Sequence, residues 1–151
     1  MKEVVALLRE AQRVTAICHE NPDADTIGAV LGITHIVEAL GGTVTPVCTD
    51  VPPPLYGFLP GIDRFKTDPD PAIDYDLLVL ADCATAERVG AVAFRHPELF
   101  RDLPRVIVDA HASNGTAGDA DWIDPGAAAT CELVALLAVR LGLQLDLADP
   151  A

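Results

Sequence analysis

The 151-residue chain has few basic residues: 10 Lys and Arg stand against 23 Asp and Glu, which gives a formal net charge of −13. A basic surface that grips the backbone of long duplex nucleic acid is therefore excluded. No apolar run reaches the roughly 18 residues that a membrane helix needs. The N-terminal segment is amphipathic and carries acids, unlike a signal peptide. We expect neither a membrane nor a long duplex as partner.

Several short motifs are also missing. The four cysteines, Cys18, Cys48, Cys83 and Cys131, include no CxxC pair. Most of them lie in apolar runs, where cysteine behaves as a small hydrophobe, so we expect reduced thiols in a cytoplasmic protein. Gly28 and Gly32 do not form a dinucleotide fingerprint, and neither a GK[ST] phosphate loop nor a serine elbow occurs. These absences argue against a Rossmann dinucleotide site and against acyl hydrolysis.

Half of the residues are hydrophobic, so the chain can form a substantial core. Short apolar runs alternate with helical patterns, which predicts an α/β fold: a parallel sheet with helices on both faces, doubly wound and Rossmann-like. The predicted elements are helices over roughly 2–11, 24–40 and 127–141, and strands at 14–19, 43–49, 77–82 and 106–109. The connection over 50–76 contains six prolines and is expected to be irregular.

Ionisable side chains follow three of the predicted strands, namely His19, Asp23, Asp25, Asp82, Asp109 and His111. The carboxyl ends of parallel strands form the ligand crevice of such sheets, so these groups are expected at one rim. Each residue taken alone has a plainer interpretation, and Asp25 in particular suits the N-cap of the helix over 26–40. Converging carboxylates repel one another unless a cation lies among them. Mn²⁺ or Mg²⁺, with Co²⁺ as an alternative, fits this ligand set and commonly serves hydrolysis at phosphorus.

The same residues form an ordered set of motifs. His19, Asp23 and Asp25 follow the pattern H-x-x-x-D-x-D, and Asp82 is followed six residues later by Arg88. The segment from Asp109 reads Asp-Ala-His-Ala-Ser-Asn, and a Thr-x-Glu opens the last predicted helix. Taken in order over nearly the whole chain, this set resembles the DHH family of phosphoesterases. The nearest subgroup resembles nanoRNase/3′-phosphoadenosine-5′-phosphate phosphatases and cyclic-dinucleotide phosphodiesterases.

The resemblance implies a hydrolase with two manganese ions that cleaves phosphodiesters or phosphomonoesters. In the family pattern, His19 and Asp23 would hold one ion, Asp25 would hold the other, and Asp82 would bridge them. Both ions would lower the pKa of a water molecule between them, and the resulting bridging hydroxide would attack the phosphorus. The implied substrate is a short oligonucleotide, a nucleotide or a cyclic dinucleotide.

The remaining motif residues are expected to act on the phosphate. By resemblance, His111 would polarise the substrate or donate a proton to it, and Asp109 would orient His111 without contacting the substrate itself. Arg88 and Asn114 are expected to support the site or contact substrate, although a surface ion pair explains Arg88 equally well.

Two features depart from the family. Ala110 occupies the position of the first histidine of the DHH motif, and a methyl group cannot coordinate a metal ion. Family members also continue into a further strand, a fourth Asp motif and a C-terminal substrate-binding domain, so residues 1–151 are expected to be the catalytic domain alone. We therefore expect one weakly bound ion and little or no turnover. The pattern favours a deliberate substitution at Ala110, with natural decay as the alternative.

Two other classes of function stay open at this point. One is a non-catalytic module that binds a nucleotide or a protein, and the other is a minimal α/β scaffold. The last predicted helix is apolar almost all round, which is consistent with a homodimer.

Overall fold

A computed structural model describes residues 1–83, 85–111 and 118–143. Within these residues, five strands form one parallel sheet in the order β2-β1-β3-β4-β5. The strands are β1 (Arg13–Ile17), β2 (Thr43–Val47), β3 (Leu77–Ala81), β4 (Arg105–Asp109) and β5 (Ala120–Ile123). The predicted α/β class with a parallel sheet is confirmed.

Helices cover both faces of the sheet. They are α1 (Lys2–Glu10), α2 (Ala24–Ala39), α3 (Ala86–Val89), α4 (Ala91–Arg95), α5 (Pro97–Asp102) and α6 (Thr130–Leu141). Two buried clusters show the division, because α1, α2 and α6 share one cluster while α3, α4 and α5 contribute to the other. Successive strand residues point to opposite faces, so Val79 joins the first cluster and Leu80 the second. A sheet covered on both sides explains why β3 is buried throughout.

The strand order places a crevice between β1 and β3. The chain leaves β1 for β2 on one side, and β3 is followed by β4 on the other side. In sheets of this order, the connections diverge at the point between the two strands, and ligands bind outside the carboxyl ends there. The loops after β1 and β3 begin with Cys18 and Asp82, so the predicted polar residues lie at this divergence.

Some predicted boundaries were wrong. The first strand ends at Ile17 rather than at His19, so His19 belongs to the loop that follows. The last helix begins at Thr130 rather than at Ala127, because Ala129 is extended at φ −163° and ψ 159°. The sequence patterns also missed β5 and the three short helices α3–α5.

The described residues contain no helix that is both long and apolar enough to cross a bilayer. Cys18, Cys48 and Cys83 are buried, and all four cysteines are free thiols. Burial raises the pKa of the Cys83 thiol to about 12. On the outer side of α6, Leu136 and Val139 are exposed, and the homodimer stays a prediction.

Two glycines bring α2 and α6 into close contact. A Cβ on Gly28 would lie 2.7 Å from the Sγ of Cys131, and a Cβ on Gly32 would lie 2.7 Å from Cγ1 of Val134. Both distances are shorter than real contacts, so only glycine permits this packing without a shift. The contact matters because α2 and α6 both begin at the polar rim.

We predict that Gly32→Ala destabilises the protein although alanine is the better helix former. The gain in helix propensity is about 1 kcal/mol, whereas overpacking costs about 1–3 kcal/mol. Val134 is β-branched and cannot turn away freely. Urea denaturation measures the free energy of unfolding of Gly32→Ala, Val134→Ala and the double variant. Gly32→Ala should cost at least about 0.5 kcal/mol less when residue 134 is alanine than when it is valine. Strictly additive effects would contradict the proposed contact.

Candidate metal centre

His19 lies in the loop after β1 with its ring oriented by the backbone. The side chain is buried, and Nδ1 lies 2.7 Å from the carbonyl oxygen of Glu20. A ring nitrogen that donates to a carbonyl leaves the other nitrogen, here Nε2, with its lone pair available. Nε2 lies 3.5 Å from Oδ2 of Asp82 and 3.9 Å from Oδ1 of Asp23. When no cation lies between them, Nε2 can instead carry a proton toward Asp82, and this interaction is the main cause of a raised pKa at His19, which burial opposes.

Asp23 serves two purposes in the same loop. Its Oδ1 accepts from the amides of Asp25 and Thr26 at 3.0 and 3.1 Å, so Asp23 is the N-cap of α2. The interpretation of Asp25 as this N-cap was therefore wrong. The side chain of Asp23 is 62% exposed, so its carboxylate is open to solvent while it faces His19.

Asp82 follows β3 and is almost fully buried. Its backbone is left-handed at φ 62°, a conformation that a residue without glycine's freedom adopts at a cost. The amide donates to the carbonyl of Val108 at 2.9 Å, and Oδ1 accepts from the hydroxyl of Thr130 at 2.8 Å. Backbone and side chain are thus both tied to neighbouring elements, which keeps Oδ2 toward His19.

Asp25 lies one residue inside α2 and reaches across to α6. Its two oxygens accept from the amides of Thr130 and Cys131, both at 2.8 Å. A carboxylate at a helix N-terminus satisfies amides that have no partner within the helix and interacts favourably with the helix dipole. Asp25 therefore joins the start of α2 to the start of α6. Its predicted role as a metal ligand stays a prediction.

Asp109 and His111 form a second polar group beside Asp82. Oδ1 of Asp109 accepts from the amide of His111 at 3.0 Å and lies 2.7 Å from Nδ1 of its ring. The same Nδ1 is 3.3 Å from Oδ1 of Asp82. The hydrogen bond with Asp109 raises the pKa of His111, against burial and the positive charge of Arg88. Because Asp109 is buried and His111 is half exposed, the pair presents the imidazole toward solvent.

Arg88 lies on α3, next to the loop that carries His19. Its carbonyl accepts from the amide of Glu20 at 2.8 Å. Arg88 is exposed, and no carboxylate among the described residues forms an ion pair with its side chain. The described part of the chain therefore does not support the alternative that Arg88 forms a surface ion pair. Asn114 lies outside the described residues.

The chemistry of these groups fits a divalent cation. One ligand atom from each of His19, Asp23 and Asp82 lies within 4.8 Å of the others, and the same holds for Asp82, Asp109 and His111. Two carboxylates and an imidazole with a directed lone pair suit Mn²⁺, Mg²⁺ or Co²⁺. Neither group of three includes Asp25, and Ala110 offers no donor.

Fold and site together define a doubly wound α/β domain with a carboxylate–imidazole site at the divergence of its sheet. Residues 13–149 match the family model described as the DHH family, N-terminal domain. The chain belongs to the DHH family, as the ordered motifs predicted.

The relatives found by comparison agree with this assignment. A protein from Thermus thermophilus, the bifunctional oligoribonuclease and PAP phosphatase NrnA, is 31% identical over 126 residues, which cover 83% of this chain and 36% of that protein. An exopolyphosphatase-related protein from Bacteroides fragilis superposes with a TM-score of 0.82 at 18% identity, over 94% of this chain and 44% of the other.

Manganese appears in a further structural relative. The exonuclease RecJ of Thermus thermophilus, solved in complex with Mn²⁺, has a TM-score of 0.54 at 21% identity, over 95% of this chain and 21% of RecJ. This likeness shows a shared fold. The chain spans about a third of the length of the curated relative NrnA.

Thr130 is a residue of the candidate site whose contacts sequence reasoning missed. The Thr-x-Glu pattern marked the start of a helix, but no pattern indicated that the hydroxyl meets Asp82, 48 residues away. A polar residue at a helix start facing a strand end was the only available signal.

We predict that Asp25→Asn destabilises the metal-free protein more than Asp23→Asn does. Without divalent ions, Asp25→Asn should lower the free energy of unfolding by about 1–2 kcal/mol, because one α6 amide loses its acceptor and the helix loses a favourable charge. Asp23→Asn should change it by less, since asparagine is an equally good N-cap. Urea denaturation in the presence of a chelator measures both. Equal losses would contradict the capping role of Asp25.

Proposed function

We propose that this chain is a phosphoesterase domain that binds one divalent ion, Mn²⁺ by preference, through His19, Asp23 and Asp82. The observation that carries the proposal is the convergence of these three ligand atoms within 4.8 Å at the divergence of the sheet. The substrate class is a phosphodiester or phosphomonoester of a short oligonucleotide or nucleotide, cyclic dinucleotides included. The relationship to an oligoribonuclease and PAP phosphatase supports this class.

Electrostatics explains why an ion belongs here. The chain carries a formal net charge of −13, and Asp23, Asp82 and Asp109 lie at the rim where a phosphate would enter. An anion cannot approach buried carboxylates without a cation between them. A bound divalent ion supplies charge neutralisation at a phosphoryl oxygen and lowers the pKa of water.

Among the described residues, His111 is well placed to contact the phosphate. Asp109 is buried and holds Nδ1 at 2.7 Å, so when His111 is an imidazolium its Nε2–H is the group left to donate to a phosphate oxygen. The imidazole side chain is 52% exposed, which leaves room for a ligand on that side. Asp109 thus orients His111, and the exposed guanidinium of Arg88 adds a positive charge to the same rim.

The described residues give a second ion a poorer set of ligands, because in the group of Asp82, Asp109 and His111 the Oδ1 of Asp109 is already paired with Nδ1 of His111 at 2.7 Å. Ala110 has no donor atom, and each oxygen of Asp25 already accepts an amide of α6. We therefore propose low turnover in this chain. The prediction that residues 1–151 are the catalytic domain alone stays a prediction.

Ala110 and the capping role of Asp25 also favour a second candidate function. A DHH domain with one ion retains the means to bind a phosphate but has less means to activate water. It would then act as a module that binds a nucleotide without cleaving it. Binding of a dinucleotide in the presence of Mn²⁺, with no hydrolysis even after Ala110→His, would support this candidate.

We predict that Mn²⁺ binds this chain with a stoichiometry of about one and that Ala110→His restores a second ion. Calorimetric titration measures both, and a thermal melt should shift upward, because an ion at 100 times its Kd adds about 2.7 kcal/mol of stability. A phosphodiesterase assay on a dinucleotide should show at least about tenfold more activity for Ala110→His, since a second ion strengthens both charge neutralisation and activation of water.

Matched controls locate the ion. Asp82→Asn should abolish binding, whereas Asp68→Asn should not, because Asp68 pairs with Arg95 and His96, which belong to none of the motifs. If the unmodified chain binds no Mn²⁺, or if Asp82→Asn binds as well as it does, the proposed site is wrong.

A further inference from the structure

We infer that Thr130 is a positioning residue of the metal centre: its hydroxyl bonds one oxygen of Asp82 and so fixes the orientation of the carboxylate, with the other oxygen facing His19. The inference rests on the proposed function, because it concerns the same site. It assigns a role to Thr130, which begins α6 and is 48 residues from Asp82 in sequence.

The contacts of Thr130 fix the direction of its hydroxyl. The residue is completely buried. Its Oγ1 lies 3.2 Å from the amide nitrogen of Ala110 and 2.8 Å from Oδ1 of Asp82. An amide N–H can only donate, so Oγ1 accepts a hydrogen bond from Ala110. The single hydroxyl proton of Thr130 then makes the hydrogen bond to Asp82.

This bond distinguishes the two oxygens of Asp82. Oδ1 is occupied by the hydroxyl, whereas Oδ2 lies 3.5 Å from Nε2 of His19. A partial rotation of the carboxylate would break a hydrogen bond that is shielded from water, where no solvent molecule replaces it, whereas a half-turn only exchanges two equivalent oxygens. Thr130 therefore keeps one oxygen of Asp82 available beside His19.

Thr130 is itself held in place by the segment that follows β1. Its amide donates to Oδ2 of Asp25 at 2.8 Å, and Asp25 is the third ionisable residue of the first motif. One residue thus joins the segments that follow β1, β3 and β4 through Asp25, Asp82 and Ala110. A change in its hydroxyl is therefore expected to reach the metal centre rather than α6 alone.

Substitutions at this position separate the hydroxyl from the shape of the side chain. Thr130→Ser retains the donor and the acceptor. Thr130→Val keeps the volume but leaves Oδ1 of Asp82 and the amide of Ala110 without their partner. Thr34→Val is the matched control, because Thr34 is also buried and its hydroxyl bonds within α2, to the carbonyl of Val30 at 2.8 Å.

The test is calorimetric titration of Mn²⁺ into the four proteins well below their unfolding temperatures, with circular dichroism to establish folding. Loss of a group that orients a ligand weakens metal binding by roughly 10- to 100-fold. We expect this loss for Thr130→Val. Thr130→Ser should bind within about threefold of the unmodified chain, because it keeps the same hydrogen bonds. Thr34→Val should leave the affinity unchanged.

The outcomes distinguish this inference from the proposed function. Failure of the unmodified chain to bind Mn²⁺ would overturn both. Wild-type affinity in a folded Thr130→Val, or an equal loss in Thr130→Ser, would overturn the inference alone. If Thr130→Val does not fold, Thr130→Ala is judged by the same criterion. If neither variant folds, Thr130 serves the fold rather than the metal centre, and the inference is wrong.

Discussion

The first turn of α6 holds the candidate site together. Asp25 accepts hydrogen bonds from the first two amides of α6, and the hydroxyl of Thr130 donates to Asp82. These bonds connect segments that are 48 to 106 residues apart in the chain. The loops at the carboxyl ends of β1 and β3 consequently have a fixed relation to each other, and the close packing of α2 on α6 through Gly28 and Gly32 supports it.

The rim concentrates negative charge in a protein that is already strongly acidic. Asp82 and Asp109 are buried there, and the described groups near them include two imidazoles, the hydroxyl of Thr130 and one exposed guanidinium. Burial of carboxylates without a strong cation is costly. The cost is understandable if a divalent ion completes the site, because a ligand that binds only the folded arrangement adds its binding free energy to the stability of the fold.

The elements that sequence reasoning predicted best are those with a strong local signal. β3 is a run of five apolar residues, and α2 lies between the cap at Asp23 and the glycines at 41 and 42. β5 has only four residues and one of them is an acid, so the sequence contains no apolar run that would predict this strand. The helices α3–α5 are short pieces interrupted by Gly90 and Pro97, and each is too short to show a helical period.

The candidate site likewise contains some features that the sequence predicted and others that it did not. The order of motifs, with parallel strands that end at one rim, was sufficient to bring His19, Asp23 and Asp82 together. The dual role of Asp23, the contact of Asp25 with α6 and the hydroxyl of Thr130 depend on tertiary contacts that no local pattern encodes. Sequence therefore predicted which groups lie together at the rim better than it predicted the contacts that hold them in place.

Anomalous diffraction from crystals soaked in MnCl₂ tests the central claim most directly. We predict one strong peak at coordination distance, about 2.0–2.3 Å, from Nε2 of His19 and from oxygens of Asp23 and Asp82. The absence of a peak there at a saturating concentration, or a peak only at another site, would contradict the assignment of these three residues as the metal centre.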